Sequence, residues 1–292
     1  MLESIEQVQK ALEEHRYIAD RPLATIMYIS QALKKPILLE GEAGVGKTEI
    51  AKVLAEILGT KLIRLQCYEG LDVNAALYEW NYQRQMLAIR LSEARGATRE
   101  GLEENIFGEE FLLKRPLLEA IQSNSGKAPV LLIDEIDRCD EEFEAFLLEI
   151  LSDFQVTIPE IGTIKAKHIP SVVLTSNRTR EINDALKRRC LYHWIEYPSY
   201  EKELQIVTTK VSGVREDLAG QICSFMQRIR QINFYKKPGI AETLDWTTAL
   251  LVLNVDHLER KVVEETLGCL LKYNEDIMKL QKEGVDAVLS RI

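Results

Sequence analysis

One stretch, Pro36 to Leu58, constrains this 292-residue chain more than any other; it reads PILLEGEAGVGKTEIAKVLAEIL. An apolar run leads into a glycine-rich turn, and an amphipathic helix pattern follows. Pro36 to Glu40 has the character of a short buried strand, and Ile50, Val53, Leu54, Ile57 and Leu58 fall at i, i+3, i+4, i+7 and i+8 of one helix face. Gly59 stands where a helix C-cap glycine belongs. Between strand and helix, Gly41, Gly46, Lys47 and Thr48 satisfy the pattern G-x-x-x-x-G-K-S/T, in the strand–loop–helix context that a phosphate-binding loop requires.

The chemistry follows from the residue types. Glycines let successive backbone N–H groups curl around an oxyanion, and the helix N-terminus adds its partial positive charge. The expected cradle is Gly41, Glu42, Ala43, Gly44, Val45, Gly46, Lys47, Thr48 and Glu49. Within it Lys47 can reach the β- and γ-phosphates, and the Thr48 hydroxyl can ligate Mg²⁺. The reading is a nucleotide site.

Downstream, Lys61 to Leu65 reads as a second strand and Ala128 to Ile133 (APVLLI) as a third, which runs straight into Asp134-Glu135. An acid at the carboxyl end of a parallel strand beside the phosphate loop can hold a Mg²⁺-bound water, the role read for Asp134. A second carboxylate directly after it, Glu135, can polarise a water for attack on the γ-phosphate. The strand at 61–65 intervenes between the phosphate-loop strand and the Asp134 strand, an arrangement that separates hydrolytic motors from small-molecule kinases. Between 134 and 153 nine acids face one arginine, Arg138. A solvated acidic helix face covers most of them, with Phe143, Phe146, Leu147, Ile150 and Leu151 on its opposite, apolar side.

Val156 to Ile169 reads as a β-hairpin, and Ser171 to Ser176 as a fourth strand that ends at Asn177. The Asn177 amide is placed to orient the attacking water or touch the γ-phosphate; a strand-ending turn residue is the plainer alternative. Lys187-Arg188-Arg189 follows a short helix pattern and precedes a fifth strand, Leu191 to Tyr197. These cations suit a helix C-terminus, and they also suit an arginine finger that reaches a neighbouring subunit's γ-phosphate. Pro198 marks the change to an all-helical remainder, with patterns near 201–211, 215–233, 243–254 and 257–273. At the other end, residues 2–34 read as two helices broken near Ala19-Asp20-Arg21-Pro22. Tyr17-Ile18-Ala19 lies just upstream of the phosphate loop; Ile18 and Ala19 suit either adenine contact or plain packing. The tract Leu71 to Glu110 shows no clean strand and helical character over 74–94.

The totals exclude several classes. A net charge of −9 advertises neither nucleic acid nor anionic membrane. No apolar run approaches membrane-spanning length, and the N-terminus lacks the pattern of a targeting segment. Five scattered cysteines without a C-x-x-C pair read as reduced thiols in a cytoplasmic protein, and four dispersed histidines give no zinc pattern.

Together these motifs resemble an AAA+ ATPase of the MoxR branch. Within it, the stretch EIDR-DEEFEAFLLEILSDFQVTIPEIGTI is similar to proteins associated with maturation of molybdenum-containing carbon monoxide dehydrogenase. GEAGVGKT and LLIDEID correspond to the Walker A and B motifs and TSN to sensor 1 at Asn177, while ALKRRC resembles the arginine-finger segment, Arg189 ahead of Arg188. The hairpin about 154–169 is similar to the pre-sensor 1 insertion, and the tract about 74–110 to the helix-2 insert. The resemblance implies an α/β P-loop domain over 1–198 with a five-stranded, mainly parallel sheet, and a helical lid over 199–292. It also implies ATP and Mg²⁺ as cofactors, and a ring, expected to be a hexamer, with nucleotide between subunits. The partners expected are a client protein, a metalloenzyme among the candidates, and a protein with a von Willebrand factor A domain. Tyr68, Tyr78, Trp80 and Tyr82 suit either a client-gripping pore or simple packing. One departure stands out: where many AAA+ proteins carry a sensor 2 arginine, the comparable position reads Thr243-Leu244-Asp245-Trp246. An alternative function is an ATP-switched assembly scaffold with incidental hydrolysis; a DNA-remodelling role is disfavoured by the acidic balance.

Overall fold

The computed structural model describes residues 3–94, 106–123 and 126–290; the stretch 95–105 of the expected helical insert lies outside them. In chain order the strands are β1 (Ile37–Gly41), β2 (Leu62–Gln66), β3 (Tyr78–Trp80), β4 (Leu112–Lys114), β5 (Val130–Asp134), β6 (Gln155–Ile158), β7 (Gly162–Lys165), β8 (Ser171–Ser176) and β9 (Leu191–Ile195). Five of them form one parallel sheet in the order β2-β5-β8-β1-β9. β1 and β5 are buried along their whole length, which is why they read as unbroken Ile/Leu/Val runs. β2, at an edge, alternates buried and exposed residues.

The sheet corrects the expected neighbourhood of β1. The 61–65 run does precede Asp134 in the chain, but in space β8, the Asn177 strand, lies between β1 and β5. Glu40 of β1 is therefore paired in register with Ser176 of β8, and the carboxyl ends of β1, β8 and β5 stand side by side.

Helices α1 (Ile5–Glu14) and α2 (Arg21–Leu33) flank the break expected near Asp20, and α3 (Lys47–Leu58) follows the glycine loop. The tract after β2 differs from its reading. It contains a short helix α4 (Val73–Ala76), then β3, then α5 (Tyr82–Ala94), and β3 pairs antiparallel with β4. Trp80 is the reason: it is buried against Phe107, in a cluster with Leu77, Phe111 and Leu112, so an aromatic strand packs where helical spacing was expected. Next come α6 (Pro116–Ile121) and α7 (Glu141–Asp153), which packs Phe143, Leu147, Ile150 and Leu151 on the core under β5 and β8. The hairpin β6–β7 forms where the sequence put it, on narrower strands. A short helix, α8 (Asp184–Arg189), carries the basic cluster.

Glu144 departs from the solvated face assigned to its helix. It is fully buried, accepting from the Arg180 guanidinium and, at 2.7 Å, from the Asn183 backbone N–H, so it ties α7 to the segment that leads into α8. Helical spacing placed it among acids, but the Arg180 and Asn183 groups that draw it inward come from 36 and 39 residues downstream.

Beyond β9 the chain is helical: α9 (Tyr200–Lys210), α10 (Glu216–Ile229), α11 (Ile240–Val252), α12 (Arg260–Leu270), α13 (Asn274–Glu283) and α14 (Val285–Leu289). Its core gathers Phe225, Met226, Trp246, Leu250, Val263 and Leu267. The described residues divide into two compact units. One holds those within 1–8, 22–40 and 51–193; the other holds those within 9–21, 41–50 and 194–292, so the glycine loop groups with the helical region. Among the described residues no helix is long and apolar enough to cross a membrane.

A buried ion pair organises the helical unit. Arg230 donates to both Glu203 carboxylate oxygens, at 2.6 and 2.7 Å, and to the Pro238 carbonyl and Thr243 hydroxyl. Its side chain is 4% exposed and that of Glu203 0%. Removing one partner strands the other charge in the interior, so Arg230→Ala is expected to destabilise this unit by about 3–5 kcal/mol. Chemical denaturation followed by Trp246 fluorescence measures it. The apolar double replacement, Arg230→Met with Glu203→Leu, should recover most of the loss.

Candidate nucleotide site

The glycine loop leaves β1 at Gly41 and ends in the first turn of α3, where Thr48 and Glu49 follow Lys47. Gly44 and Gly46 hold φ of +78° and +97°, a region L side chains rarely enter, so the loop conformation needs glycine there. Val45 between them is buried, while Ala43 and Gly44 stay partly open and Glu42 is exposed. Lys47 is buried, and its ammonium donates to the Gly41 and Glu42 carbonyls at 2.7 and 2.6 Å. The lysine thus arches back along the loop that would receive phosphate. Glu49 pairs with Lys210 of α9 at 3.0 Å.

The segment before α2 belongs to the same unit. Tyr17 is buried with its hydroxyl facing Gly46, about where a Cβ there would sit 3.8 Å away; Ile18 and Ala19 beside it are half-buried. Burial, reinforced by Asp20 and Glu49, pushes the Tyr17 phenol well above its ordinary range, so it stays a neutral donor. Ile18 and Ala19 therefore lie in the chain next to a residue that borders the loop, whichever of their two readings holds.

The acidic half is built in the sheet unit. Asp134 closes β5 with its carboxylate buried: Oδ1 accepts from the Thr175 hydroxyl at 2.6 Å, Oδ2 from the Arg64 guanidinium at 2.6 Å. Glu135 follows in a left-handed backbone conformation (φ 57°, ψ 50°), unusual for a residue with a side chain. Its N–H is held by Thr175 Oγ1 at 2.9 Å. The Glu135 carboxylate is only partly buried. Oε1 accepts from Asn177 Nδ2 at 3.3 Å, and Oε2 from Gln66 Nε2 at 3.1 Å, with Arg138 Nε 3.2 Å away. Asp134, Glu135 and Asn177 therefore come together, as their places at strand ends imply.

Four participants escaped sequence reasoning. Gln66 and Arg64 reach the acids from β2, and Thr175 braces both from β8. Asp137, buried, accepts from the Asn177 N–H and from the Thr179 N–H and hydroxyl, fastening the exit of β8 to the turn after β5. The second Asp of the Asp-Glu-Ile-Asp run was the only available signal; Arg64 and Gln66 sit on a strand some 70 residues upstream of their partners. Glu40 is likewise buried at the end of β1, accepting from Ser176 Oγ at 3.3 Å and Tyr192 Oη at 3.0 Å. Next to the acids, a hydrogen bond with Cys139 and then burial push the Cys67 thiol up; all five cysteines are free thiols.

The two arginines of α8 differ. Arg189 is committed within its chain, donating to Ser152 Oγ at 2.6 Å and the Ala185 carbonyl at 3.3 Å. The Arg188 side chain is exposed and makes no hydrogen bond or ion pair to another described residue. The four aromatics also separate. Trp80 is core, and Tyr78 packs edge-on against it; Tyr68 and Tyr82 are exposed. For Trp80 this settles packing over a pore.

The donors fit a phosphate with a hard cation. The loop supplies backbone N–H groups, an ammonium and, at Thr48, a hydroxyl oxygen of the kind Mg²⁺ takes; in the sheet unit Asp134 supplies a carboxylate oxygen of the same kind. Among the described residues no group of three or more His, Cys, Asp or Glu could hold a metal, so Mg²⁺ would draw most ligands from phosphate and water.

A glycine loop between an inner strand of a parallel sheet and a helix, with an acid pair closing another strand of that sheet, defines the P-loop class of α/β proteins. The chain belongs to the AAA domain family, dynein-related subfamily, whose family model matches residues 36–190, more than half its length. Among curated proteins it is 28% identical over 230 residues to an uncharacterised protein of Staphylococcus aureus (strain bovine RF122 / ET3-1), covering 76% of this chain and 77% of that one. Another from strain USA300 is 28% identical over 229 residues with the same coverage. Among solved structures, a mutant RuvB of Thermotoga maritima aligns with a TM-score of 0.50 at 18% identity, over 91% of this chain and 70% of that one. That likeness concerns the fold.

Proposed function

We propose that this chain binds and hydrolyses Mg-ATP and uses the cycle to remodel a client protein, as an AAA+ ATPase of the MoxR branch. The observation that carries the reading is the Glu135 carboxylate, held by Asn177 Nδ2 and Gln66 Nε2 at the sheet end where β1 enters the glycine loop. A carboxylate so oriented, partly open to solvent, is suited to take a proton from an attacking water. In this reading Gly41–Glu49 cradle the phosphates and Lys47 leaves its loop carbonyls for the β- and γ-phosphates. Thr48, and Asp134 by way of a water, would hold Mg²⁺, which would supply electrostatic stabilisation of the phosphate charge. Asn177 orients the water; Ile18 and Ala19 border the base.

The assembly proposed is a ring, six subunits being our choice, in which Arg188 or Arg189 serves the neighbour's nucleotide. The client would be a metalloenzyme under maturation, such as a molybdenum-containing carbon monoxide dehydrogenase, with a von Willebrand factor A domain protein as adaptor. Exposed Tyr82, Met86, Leu87 and Leu91 on α5 offer an apolar surface for such a client. The domain boundary proposed is at residue 198, with the lid beyond it.

Calorimetric titration with Mg-ATP tests the core of this. Wild-type protein should bind and release phosphate, and Lys47→Ala should lose binding, because the cation set against the phosphates is gone. Equal binding by Lys47→Ala would overturn the reading.

A further inference from the structure

The lid helix α11 starts against the crown of the glycine loop, and both belong to one unit. The Ala241 N–H donates to the Gly44 carbonyl at 3.1 Å. Gly239 and Gly44 touch backbone to backbone: a Cβ on Gly239 would fall 2.7 Å from the Ala43 carbonyl oxygen. A side chain on either would wedge the helix off the loop. Glu242 folds back over this junction. Its Oε2 caps the Gly239 N–H at 2.9 Å and lies 2.9 Å from where a Gly44 Cβ would be.

The charge at this rim is unusual for a phosphate site. Arg230, which reaches Thr243 one residue beyond, is spent on the buried Glu203 carboxylate, so the pair brings no net charge. Lys210 is paired with Glu49. Glu242 is the carboxylate that α11 sets directly on the loop crown, and exposed Glu42 belongs to the loop itself; Lys236 and Lys237, just before Gly239, are exposed. Their shared field is felt at Tyr197: its phenol is pushed up to about 12 by burial first, then by Glu42 and Glu242, against the opposing pull of Arg230.

We propose that Glu242 is a specificity-determining residue that discriminates nucleotides by phosphate charge, disfavouring the triphosphate relative to the diphosphate at the glycine loop. The inference rests on the nucleotide reading above. A further negative phosphate group brought toward this rim meets a carboxylate whose position is fixed by its own cap, and such repulsion in a partly desolvated setting is felt over several ångströms. At the start of α11 the Gly239 N–H is taken by Glu242 and the Ala241 N–H by the Gly44 carbonyl, so neither is offered to a phosphate.

Glu242→Gln isolates the charge, because an amide oxygen still caps the Gly239 N–H. Dissociation constants for Mg-ADP and for the β,γ-imido analogue of Mg-ATP would be measured by calorimetry for wild type, Glu242→Gln, Glu242→Met and Lys47→Ala. The glutamine variant should bind the triphosphate analogue about three- to ten-fold tighter. Its affinity for ADP should move less than about two-fold, and the gain should shrink in 0.5 M salt as the charge is screened. Glu242→Met, without the cap, should move the ratio in the same direction. An unchanged ratio in both variants, or equal shifts for both nucleotides, would overturn the proposal and leave Glu242 a helix cap. Wild-type binding that Lys47→Ala does not weaken would instead strike the nucleotide reading itself, and this inference with it.

Discussion

Glu135→Gln is expected to bind ATP as wild type does while phosphate release falls by about 10²–10⁴-fold, the range general-base assistance contributes. The substitution changes little besides charge. Glutamine keeps the shape that the left-handed turn after β5 presents, and its amide oxygen can still accept from Asn177 or Gln66. What it cannot do is take a proton from water. Steady-state phosphate release, alongside nucleotide binding, separates the two effects, and near-normal turnover would remove Glu135 from the mechanism. The same variant, stalled with ATP bound, is the reagent for capturing a client. It also discriminates the scaffold alternative, in which assembly and partner binding follow nucleotide occupancy and are indifferent to turnover.

Arg188→Ala is expected to leave ATP binding unchanged and to slow hydrolysis by about 10³–10⁵-fold, the effect of an arginine supplied in trans. The sequence ranked Arg189 first. We now rank Arg188 first, because Arg189 would have to leave Ser152 and Ala185 to act, whereas Arg188 is exposed without such bonds. Arg189→Ala should then give the smaller loss. Mixing Arg188→Ala with Glu135→Gln protein checks the geometry of action. Mixed rings contain some interfaces that join an intact Glu135 to an intact Arg188, so partial activity should return. If Arg188 acted within its own chain, every site would keep one lesion and nothing would be rescued. Energy transfer between labelled subunits establishes exchange first. With exchange shown, no rescue rejects Arg188 as a trans finger, and rescue by Arg189→Ala mixtures would restore the original order.

Much of this molecule is legible along the chain because its signals are local. The glycine loop, the strand that enters it and the helix that leaves it span fewer than 25 consecutive residues, and backbone conformation there follows from residue type. The runs that became β1, β5 and β8 are buried on both faces or nearly so, and a fully buried strand declares itself as an unbroken apolar run. Asp134, Glu135 and Asn177 were found because they end such runs, and strand ends of a parallel sheet meet at one edge.

Contacts between distant segments leave no periodic trace, and those the fold alone decided. The order β5-β8-β1, which sets Asn177 rather than Gln66 beside β1, depends on which strands pair and not on their sequence order. Glu144 looks like its acidic neighbours until Arg180 and Asn183 fold over it. Trp80 was ambiguous between grip and packing, and the choice was made by Phe107 and the partner strand β4. Most clearly, the sequence at 243–246 announces only a missing arginine. That a glycine would let helix α11 touch the loop, and that Glu242 would occupy the rim, follows from backbone approach between segments nearly 200 residues apart. Residue type fixed what each position could do; packing decided which partner each one met.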